Sequence, residues 1–441
     1  MRSLWFSSLL CLALCPVRAA TPAPPQRLPL DAALLARLVS EATDQHPQLR
    51  AARLRQQAAQ RAVQGVRVWE DPMVRIGGAV ASSPGPDLEM EGNLLYEIEQ
   101  PLPLFGKARA KRLEADAAAA VAVSESEYRL QLLRRDVVQA AHTLALADAI
   151  LDIGQQDLAL VERMSGFLRE RQAAGLEGNV DFLRLETERE RRIQQLETDR
   201  LQRNFDRATL NRLLARPLDH PWPALDLPPS APDIPFSDRL VSLAVLNEPR
   251  LAVLRRETAR AEAALEVTRR TRLPDVALSV GARQWSGSGA VREGMVGVGL
   301  NLPWLNRSRY RADHDRDRAL ANASHAELQD YELEVRREVF RVWTLIDAAR
   351  REALLYRDRL LPRWELLVEN TLAAWSVGRG RFLELLDARR ELTEARLTLA
   401  RAVADQHRMI AELVTCCGIG DVDALFMLDL APDPAPEVPL P

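Results

Sequence analysis

Apolar residues follow two different periods along this chain, and each period occupies its own stretches. From Leu130 to Val161 the series Leu130, Leu133, Val137, Ala140, Leu144, Ala147, Leu151, Gly154, Leu158, Val161 is spaced by three and four. A 3.5-residue period predicts helices that wind around neighbours in a left-handed coil. No proline interrupts Leu104 to Arg216, so one helix from about Lys107 to Ala174 is expected, on the order of 100 Å long at 1.5 Å per residue. In the second half Leu354, Leu361, Val368 and Trp375 recur every seven, and Leu385, Leu392 and Leu399 do so beyond Gly378.

Elsewhere the period is two. Val74, Ile76, Gly78 and Val80 alternate with Arg75, Gly77 and Ala79; Leu94, Tyr96 and Ile98 alternate with Leu95, Glu97 and Glu99. Val276, Leu278 and Val280 alternate with Ala277, Ser279 and Gly281, and Val296, Val298, Leu300 and Leu302 with Gly297, Gly299 and Asn301. Alternation over such lengths predicts strands apolar on one face and polar or small on the other. Four strands are expected, at about 73–82, 92–101, 275–285 and 294–303, each near the roughly nine to eleven residues of a membrane strand. Pro, Gly and Ser in the connections Ser82 to Gly92 and Trp285 to Gly294 suit turns. Glu97 and Glu99 would line whichever side faces water.

The same order of elements occurs twice. His46-Pro47 and Glu248-Pro249 each open a helix rich in Ala, Leu and Arg, and Asp71-Pro72 and Leu273-Pro274 each precede a strand; both pairs of prolines lie 202 positions apart. Gly175 starts a Gly-x5-Asp-x-Leu pattern ending at Leu183, and Gly378 starts Gly-x5-Glu-x-Leu ending at Leu386, an offset of 203. Two structural repeats follow, 21–214 and 238–420. The Pro-rich stretch 215–237 joins them, because it cannot continue a helix. Turns are expected at 175–181 and 378–384. Residues 421–441, Pro-rich from Pro432, are expected to form a flexible tail.

Residues 1–20 read as a secretory signal: Arg2, an apolar stretch from Leu4 to Cys15, then small residues with cleavage near Ala19 or Ala20. Cys15 also resembles a lipid-acylated position, although Leu14 stands where a small residue is wanted. Cys416 and Cys417 remain, too close along the chain to form an ordinary disulfide framework. Beyond the signal no continuous apolar run nears the ~18 residues of a membrane helix, so membrane entry requires a closed β-barrel. Four strands are too few, since about eight is the minimum; three copies would supply twelve.

Lys plus Arg number 59 and Asp plus Glu 62, a net charge of -3, which gives no support to a nucleic-acid partner. Asp313, Asp315 and Asp317 mimic the start of a calcium loop, but Arg318 and Ser324 stand where Gly and Glu are required. His46, His142, His220, His314, His325 and His407 are scattered without ligand spacing. No phosphate loop, zinc-protease helix or nucleophile elbow is present. Catalytic residues, cofactor-binding residues and metal ligands are therefore expected to be none, and the protein is expected not to be an enzyme.

Three segments carry a resemblance: Glu99 to Lys107 (EQPLPLFGK), Gly175 to Leu183, and Val377 to Arg389 (VGRGRFLELLDAR). Together they make the chain similar to the TolC-like outer-membrane efflux family, over nearly its whole mature length. The first segment resembles the strand-to-helix junction of the cobalt-zinc-cadmium branch. The resemblance implies a mixed α and β membrane protein: a long coiled-coil-like α-helical barrel plus a transmembrane β-barrel completed by trimerisation, four strands per chain. It implies a homotrimer in outer-membrane lipid with a long periplasmic extension, docked by a periplasmic adaptor to a proton-driven inner-membrane pump. The family's two adaptor-docking tip turns match Gly175, Gly178, Asp181 and Leu183, and Gly378, Glu384 and Leu386. Asp181, Glu384 and Asp387 are candidate tip-lining carboxylates, which would favour cations. The expected function is a passive exit duct, with heavy-metal cations as the cargo that branch implies. A duct for drugs or secreted polypeptides, and a periplasmic coiled-coil scaffold without a pore, are the rival readings.

Overall fold

A computed structural model describes residues 27–78, 94–173, 179–284 and 289–419. The signal region with Ala19 and Ala20, the turn glycines Gly175 and Gly178, strand positions 79–82 and 92–93, and the tail 421–441 lie outside them.

The first half runs β1 (Leu28–Pro29), α1 (Ala32–Gln45), α2 (Pro47–Gly65), β2 (Met73–Gly78), β3 (Leu94–Leu102), α3 (Lys107–Ala173) and α4 (Asn179–Leu213). After β4 (Leu225–Asp226) come α5 (Asp238–Asn247), α6 (Pro249–Thr271), β5 (Val276–Gln284) and β6 (Val291–Leu300). A 3-10 turn (Pro303–Asn306) leads into α7 (Arg307–Leu355); a π-helical turn (Tyr356–Leu360), α8 (Leu361–Ser376) and α9 (Phe382–Cys416) follow.

Local chemistry explains the helix starts. Asp31 caps α1 by accepting from the Leu34 amide at 2.7 Å, and Ser237 caps α5 through Leu240. Pro47 and Pro249 occupy first helical positions, where a missing N–H costs nothing. The Glu248 carboxylate accepts from the Leu251 amide at 2.5 Å. Three helices end in the same left-handed device. Gly378 at φ 77° donates to the Trp375 carbonyl while Arg379 donates to that of Ala374. Gly418 at φ 60° repeats the pattern with Thr415 and Val414; so does Ala215 at φ 56°, with Ile419 and Arg216 as the second donors.

Helix α3 has 67 residues and packs along α2, α4, α6 and α9. From Gly154 onward the buried positions are Gly154, Asp157, Val161, Met164, Ser165 and Leu168. The spacing is the expected three and four, but the register differs: Leu151 and Leu158 are only half-buried, because α4 and α9 cover a face shifted by about one residue. The second long rod is not continuous. The π turn separates the 49 residues of α7 from the 16 of α8, ending two positions before Pro362. That proline has no N–H to give, so the ladder widens where the first half runs straight.

Strands β2, β3, β5 and β6 form one antiparallel sheet in that order. β3 ends at Leu102, one residue beyond expectation. β6 starts at Val291 rather than 294 and stops at Leu300 rather than 303. Gly294 is not turn but pairs with Ala282, and beyond Leu300 Asn301 turns to Asp275 ahead of the 3-10 turn. A second, two-stranded sheet pairs β1 with β4 in parallel, tying residue 28 to the interhalf linker. The linker is further pinned by Asp148, which accepts from the Leu225 amide at 2.9 Å and from Arg203 Nε at 2.5 Å. Buried Gln406 holds Ala231 through its amide at 3.0 Å.

Candidate functional site

Two places on this fold are built for something other than self-stabilisation: the four-stranded sheet and the helical end opposite it.

The register fixes the sheet's two faces. Val74, Ile98, Val280 and Val296 stand in one row across the four strands, and Ile76, Tyr96 and Ala282 share their face. The large members of this apolar face are exposed, Val296 at 78%. The opposite face carries Arg75, Glu97, Glu99, Ser279, Arg283 and Glu293. Arg75 bridges Glu97 at 2.6 Å and Glu99 at 3.5 Å, and Arg283 lies 3.3 Å from Glu293. A soluble sheet buries its apolar face and wets the other; here the large apolar side chains are exposed, and nothing among the described residues covers them. β2 and β6 also leave their outer edges without a partner strand in the four-stranded order.

The EQPLPLFGK segment forms the joint between sheet and rod. Lys107 Nζ, at the start of α3, donates to the Leu273 carbonyl at 2.5 Å and to Asp275 at 2.6 Å, locking the entry of β5 to the exit of β3. Asn301 closes the joint on Asp275 at 2.5 and 2.7 Å.

At the helical end Val161, Met164 and Leu168 of α3, Leu185 of α4, Trp375 of α8, and Phe382, Leu385 and Leu386 of α9 make one core. Gly380 is required for it, since a Cβ there would sit 2.9 Å from the Trp375 nitrogen. Of the expected turn residues, Gly378 has the left-handed backbone, while Leu183 and Leu386, matched in sequence, part company: Leu183 is 63% exposed and Leu386 3%. Asp181 is half-buried beside Arg184 at 3.5 Å, Asp387 is exposed 3.9 Å from Arg390, and Glu384 lies exposed in the first turn of α9. They form no common carboxylate cluster. Gly175 and Gly178 lie outside the described residues.

The strongest polar constellation was not singled out in the sequence. Asp157 on α3, buried, accepts from Arg389 Nη1 of α9 at 2.7 and 2.8 Å, from Arg192 Nε of α4 at 2.5 Å and from the Thr393 hydroxyl at 3.0 Å. Arg389 continues to Glu188 at 3.2 Å, which also meets Arg390 at 2.5 Å. Three helices, α3, α4 and α9, are thereby joined by charge. The signal was Arg389 itself, a cation between Leu385 and Leu392 on an apolar face, which demands a buried acid.

Midway along α3 His142 stacks on His407 of α9 with ring centroids 5.0 Å apart. Burial, then the neighbouring His407 and Arg408, hold His142 down to about 4. Burial also pushes the Cys416 and Cys417 thiols up to about 12, so both are protonated at neutral pH in the metal-free chain. Asp313, Asp315 and Asp317 stand on α7, not in a loop. Among the described residues no group of three or more His, Cys, Asp or Glu is placed to hold a metal ion.

Comparison with known proteins decides the class. The sequence profile described as "Outer membrane efflux protein" matches residues 38–216 and again 240–418. The chain belongs to the outer membrane efflux protein family. Its place is thus the bacterial outer membrane, and its family is one of efflux proteins rather than of catalysts. Among curated proteins it is similar to the cobalt-zinc-cadmium resistance protein CzcC of Cupriavidus metallidurans, 26% identical over 180 residues. That match spans 39% of this chain and only 40% of the relative. The fold is that of solved outer-membrane efflux channels. OprN aligns with a TM-score of 0.76 at 21% identity, covering 88% of this chain and 90% of that one. CusC aligns at 0.75 and 17%, covering 91% and 96%. VceC of Vibrio cholerae aligns at 0.74 and 18%, covering 88% and 97%.

Proposed function

We propose that this efflux-family protein is the passive outer-membrane exit duct of a tripartite pump, assembled as a homotrimer. The observation that carries the reading is the sheet: an exposed apolar face, an ion-paired polar face and two unpaired edge strands, mounted on a 67-residue rod. Unpaired backbone edges are not tolerated in lipid, where each unmet polar group costs several kcal/mol. Joining β6 of one copy to β2 of the next removes them, and three copies give a twelve-stranded barrel with Glu97, Glu99 and Arg75 facing water. Exposed large residues on the rods, Leu201 and Phe205 on α4 and Leu333 and Phe340 on α7, would be covered by the same neighbours. The pore-free scaffold reading gives such a sheet no role.

In this reading the duct binds no nucleotide and has no cofactor; a proton-driven inner-membrane pump supplies the energy through a periplasmic adaptor. The adaptor docks the tip turns, Gly175 to Leu183 and Gly378 to Leu386, with Asp181, Glu384 and Asp387 lining the entrance. Heavy-metal cations are the proposed cargo, supported by the likeness to CzcC and by the EQPLPLFGK joint.

Light scattering on detergent-extracted outer membranes tests the assembly: a particle of three chains is expected, and a single copy soluble without detergent overturns it. Cobalt, zinc and cadmium tolerance of cells lacking the gene tests the cargo; loss of drug tolerance or of a secreted polypeptide instead would reassign it. Replacing Gly175 and Gly378 by Val should abolish export while trimers persist; full export by such trimers removes the docking role.

A further inference from the structure

Basic residues crowd the ends of three helices where they meet the four-stranded sheet. Lys107 to Arg112, at the start of α3, holds four Lys or Arg and no acid. Arg269 to Arg272, at the end of α6, and Arg307 to Arg311, at the start of α7, hold three each and no acid. Carboxylates return within three residues on the side away from the sheet, as Glu114 on α3, Glu266 on α6 and Asp313 on α7. Acid partners engage four of the cations: Lys107 meets Asp275, Lys111 meets Glu70, and Arg269 and Arg270 share Glu266. The other six, Arg109, Arg112, Arg272, Arg307, Arg309 and Arg311, are exposed and make no ion pair or hydrogen bond among the described residues.

Two features set this belt apart from an ordinary solvated helix face. One is its direction. The N-terminal end of a helix carries partial positive charge, so a first turn favours Asp or Glu. Neither α3 nor α7 has an acid in its first turn, and Arg109, Arg307 and Arg309 stand there instead. Both rods thus carry free cations where the helix itself opposes them, and an anion from outside the chain would relieve the repulsion. The other feature is position. The belt continues from the exposed apolar face of the sheet: Leu300, Leu302, Trp304 and Leu305 lead into Arg307, and Leu104 and Phe105 into Lys107, every one of these apolar side chains being exposed. Apolar surface, then aromatic rings, then cations is the order of layers met on leaving a bilayer, where amphipathic rings such as Trp lie at headgroup level. The rise from Arg307 to Arg311 is about 6 Å, and each headgroup layer is roughly 5–8 Å thick.

We infer that this belt binds the negatively charged headgroups of phospholipids in the leaflet nearest the rods. The inference rests on the reading that the sheet lies in lipid. The free guanidinium groups donate N–H bonds to phosphate oxygens, while Phe105, Trp304 and Leu305 lie against the upper acyl chains. A small soluble anion would match the charge but leave the apolar margin in water. Held in this way, the belt fixes how deep the sheet sits in the bilayer and therefore how far the rods reach from it.

The test uses the full-length protein in phosphatidylcholine vesicles carrying a trace of spin-labelled phospholipid. Electron spin resonance separates lipid held at the protein from free lipid. Spin-labelled phosphatidylglycerol should be held at least threefold more strongly than spin-labelled phosphatidylcholine. About 1 M NaCl, where the Debye length is ~3 Å, should erase the difference. Combining Arg109→Gln, Arg112→Gln, Arg307→Gln and Arg311→Gln should bring the ratio near one, whereas Lys substitutions at the same four positions should keep it. The control, Arg336→Gln with Arg359→Gln farther along the rods, should change nothing. Equal holding of the two lipids by the wild type overturns the proposal, as does a preference that survives the four Gln changes or falls equally in the control. Equal holding together with Gln variants that separate into single chains would assign the belt to contacts between copies instead. No held lipid of either kind is a distinct result: it refutes the sheet's place in the bilayer, and the belt's role with it.

Discussion

A single nitrogen of Arg389, Nη1, donates to both carboxylate oxygens of Asp157, 232 positions earlier, at 2.7 and 2.8 Å with both side chains buried. Attraction here only offsets the desolvation of two charges, so the pair adds little against an apolar replacement of both. Breaking one side is different, because the survivor stays buried. Arg389→Leu is expected to destabilise the helical domain by about 3 kcal/mol. Adding Asp157→Leu and Arg192→Leu should restore most of the loss. Circular dichroism melts of the detergent-solubilised protein check both; equal melting of wild type and the single variant would show that the charge is solvated.

Small residues in the α3 seam form a second test. A Cβ on Gly154 would come within 2.7 Å of Leu196 Cδ2, and Ala147 is likewise buried. Gly154→Ala and Ala147→Leu should each cost about 1–3 kcal/mol by overpacking. Exposed Gln156, which only accepts from Arg396 at 3.2 Å, should tolerate Leu within about 0.5 kcal/mol. Antibiotic entry through the assembled duct gives an independent readout of a loosened wall.

The repeat supplies its own backbone control. Ala215 and Gly418 stand 203 positions apart in the same left-handed helix end, yet only the second is glycine. An L-residue with a Cβ is disfavoured there by roughly 1–2 kcal/mol, so Ala215→Gly should raise the melting temperature. Gly418→Ala should lower it by more than that, since its Cβ would collide with the Asn247 carbonyl. No rise for Ala215→Gly would mean that lost chain entropy cancels the relief.

Acid should weaken the helical packing around His142. His142 is held to about 4, mainly by burial, with His407 and Arg408 adding repulsion and the Val138 carbonyl opposing them. The unfolded imidazole titrates near 6.5. The neutral ring therefore contributes stability that is whole above pH 6.5 and is lost as the pH falls from there to about 4. The linked loss is about 3 kcal/mol. His142→Leu should flatten that part of the stability profile, measured by melts between pH 7 and 4; an unchanged slope would place the titration elsewhere.

Alternation made the strands readable in the sequence because a period of two fixes which residues share a face, whatever the strand's neighbours. Gly294 misled at the boundary: it resembles a turn residue but pairs with Ala282, whereas Gly297, expected in the strand, is there beside the Ser279 hydroxyl, which lies where its Cβ would be. The long helices were readable by period and by the absence of proline. Their exact buried face was not, since it depends on which of four helices covers which side. Asp157 looked like one more surface acid between Gln156 and Leu158, and only the fold brings Arg389 and Arg192 to it. The π turn has no periodic signature beyond Pro362. The linker looked like a joint, and the structure makes it a clamp, through Asp148 and Gln406.

Hydropathy taken one residue after another would misassign this chain. The only helix among the described residues that is long and apolar enough to cross a membrane by composition is α3, half of whose qualifying window is already buried against protein. The strands pass no such test, because every second residue dilutes the first. Under the reading proposed here the lipid-seeking surface does not exist in any stretch of the linear chain. It comes into being when four separated segments pair and sort their side chains to opposite faces. Its strands thus add no long greasy run to the precursor beyond the window in α3, and under that reading the lipid-facing surface forms only upon closing the sheet in the outer membrane.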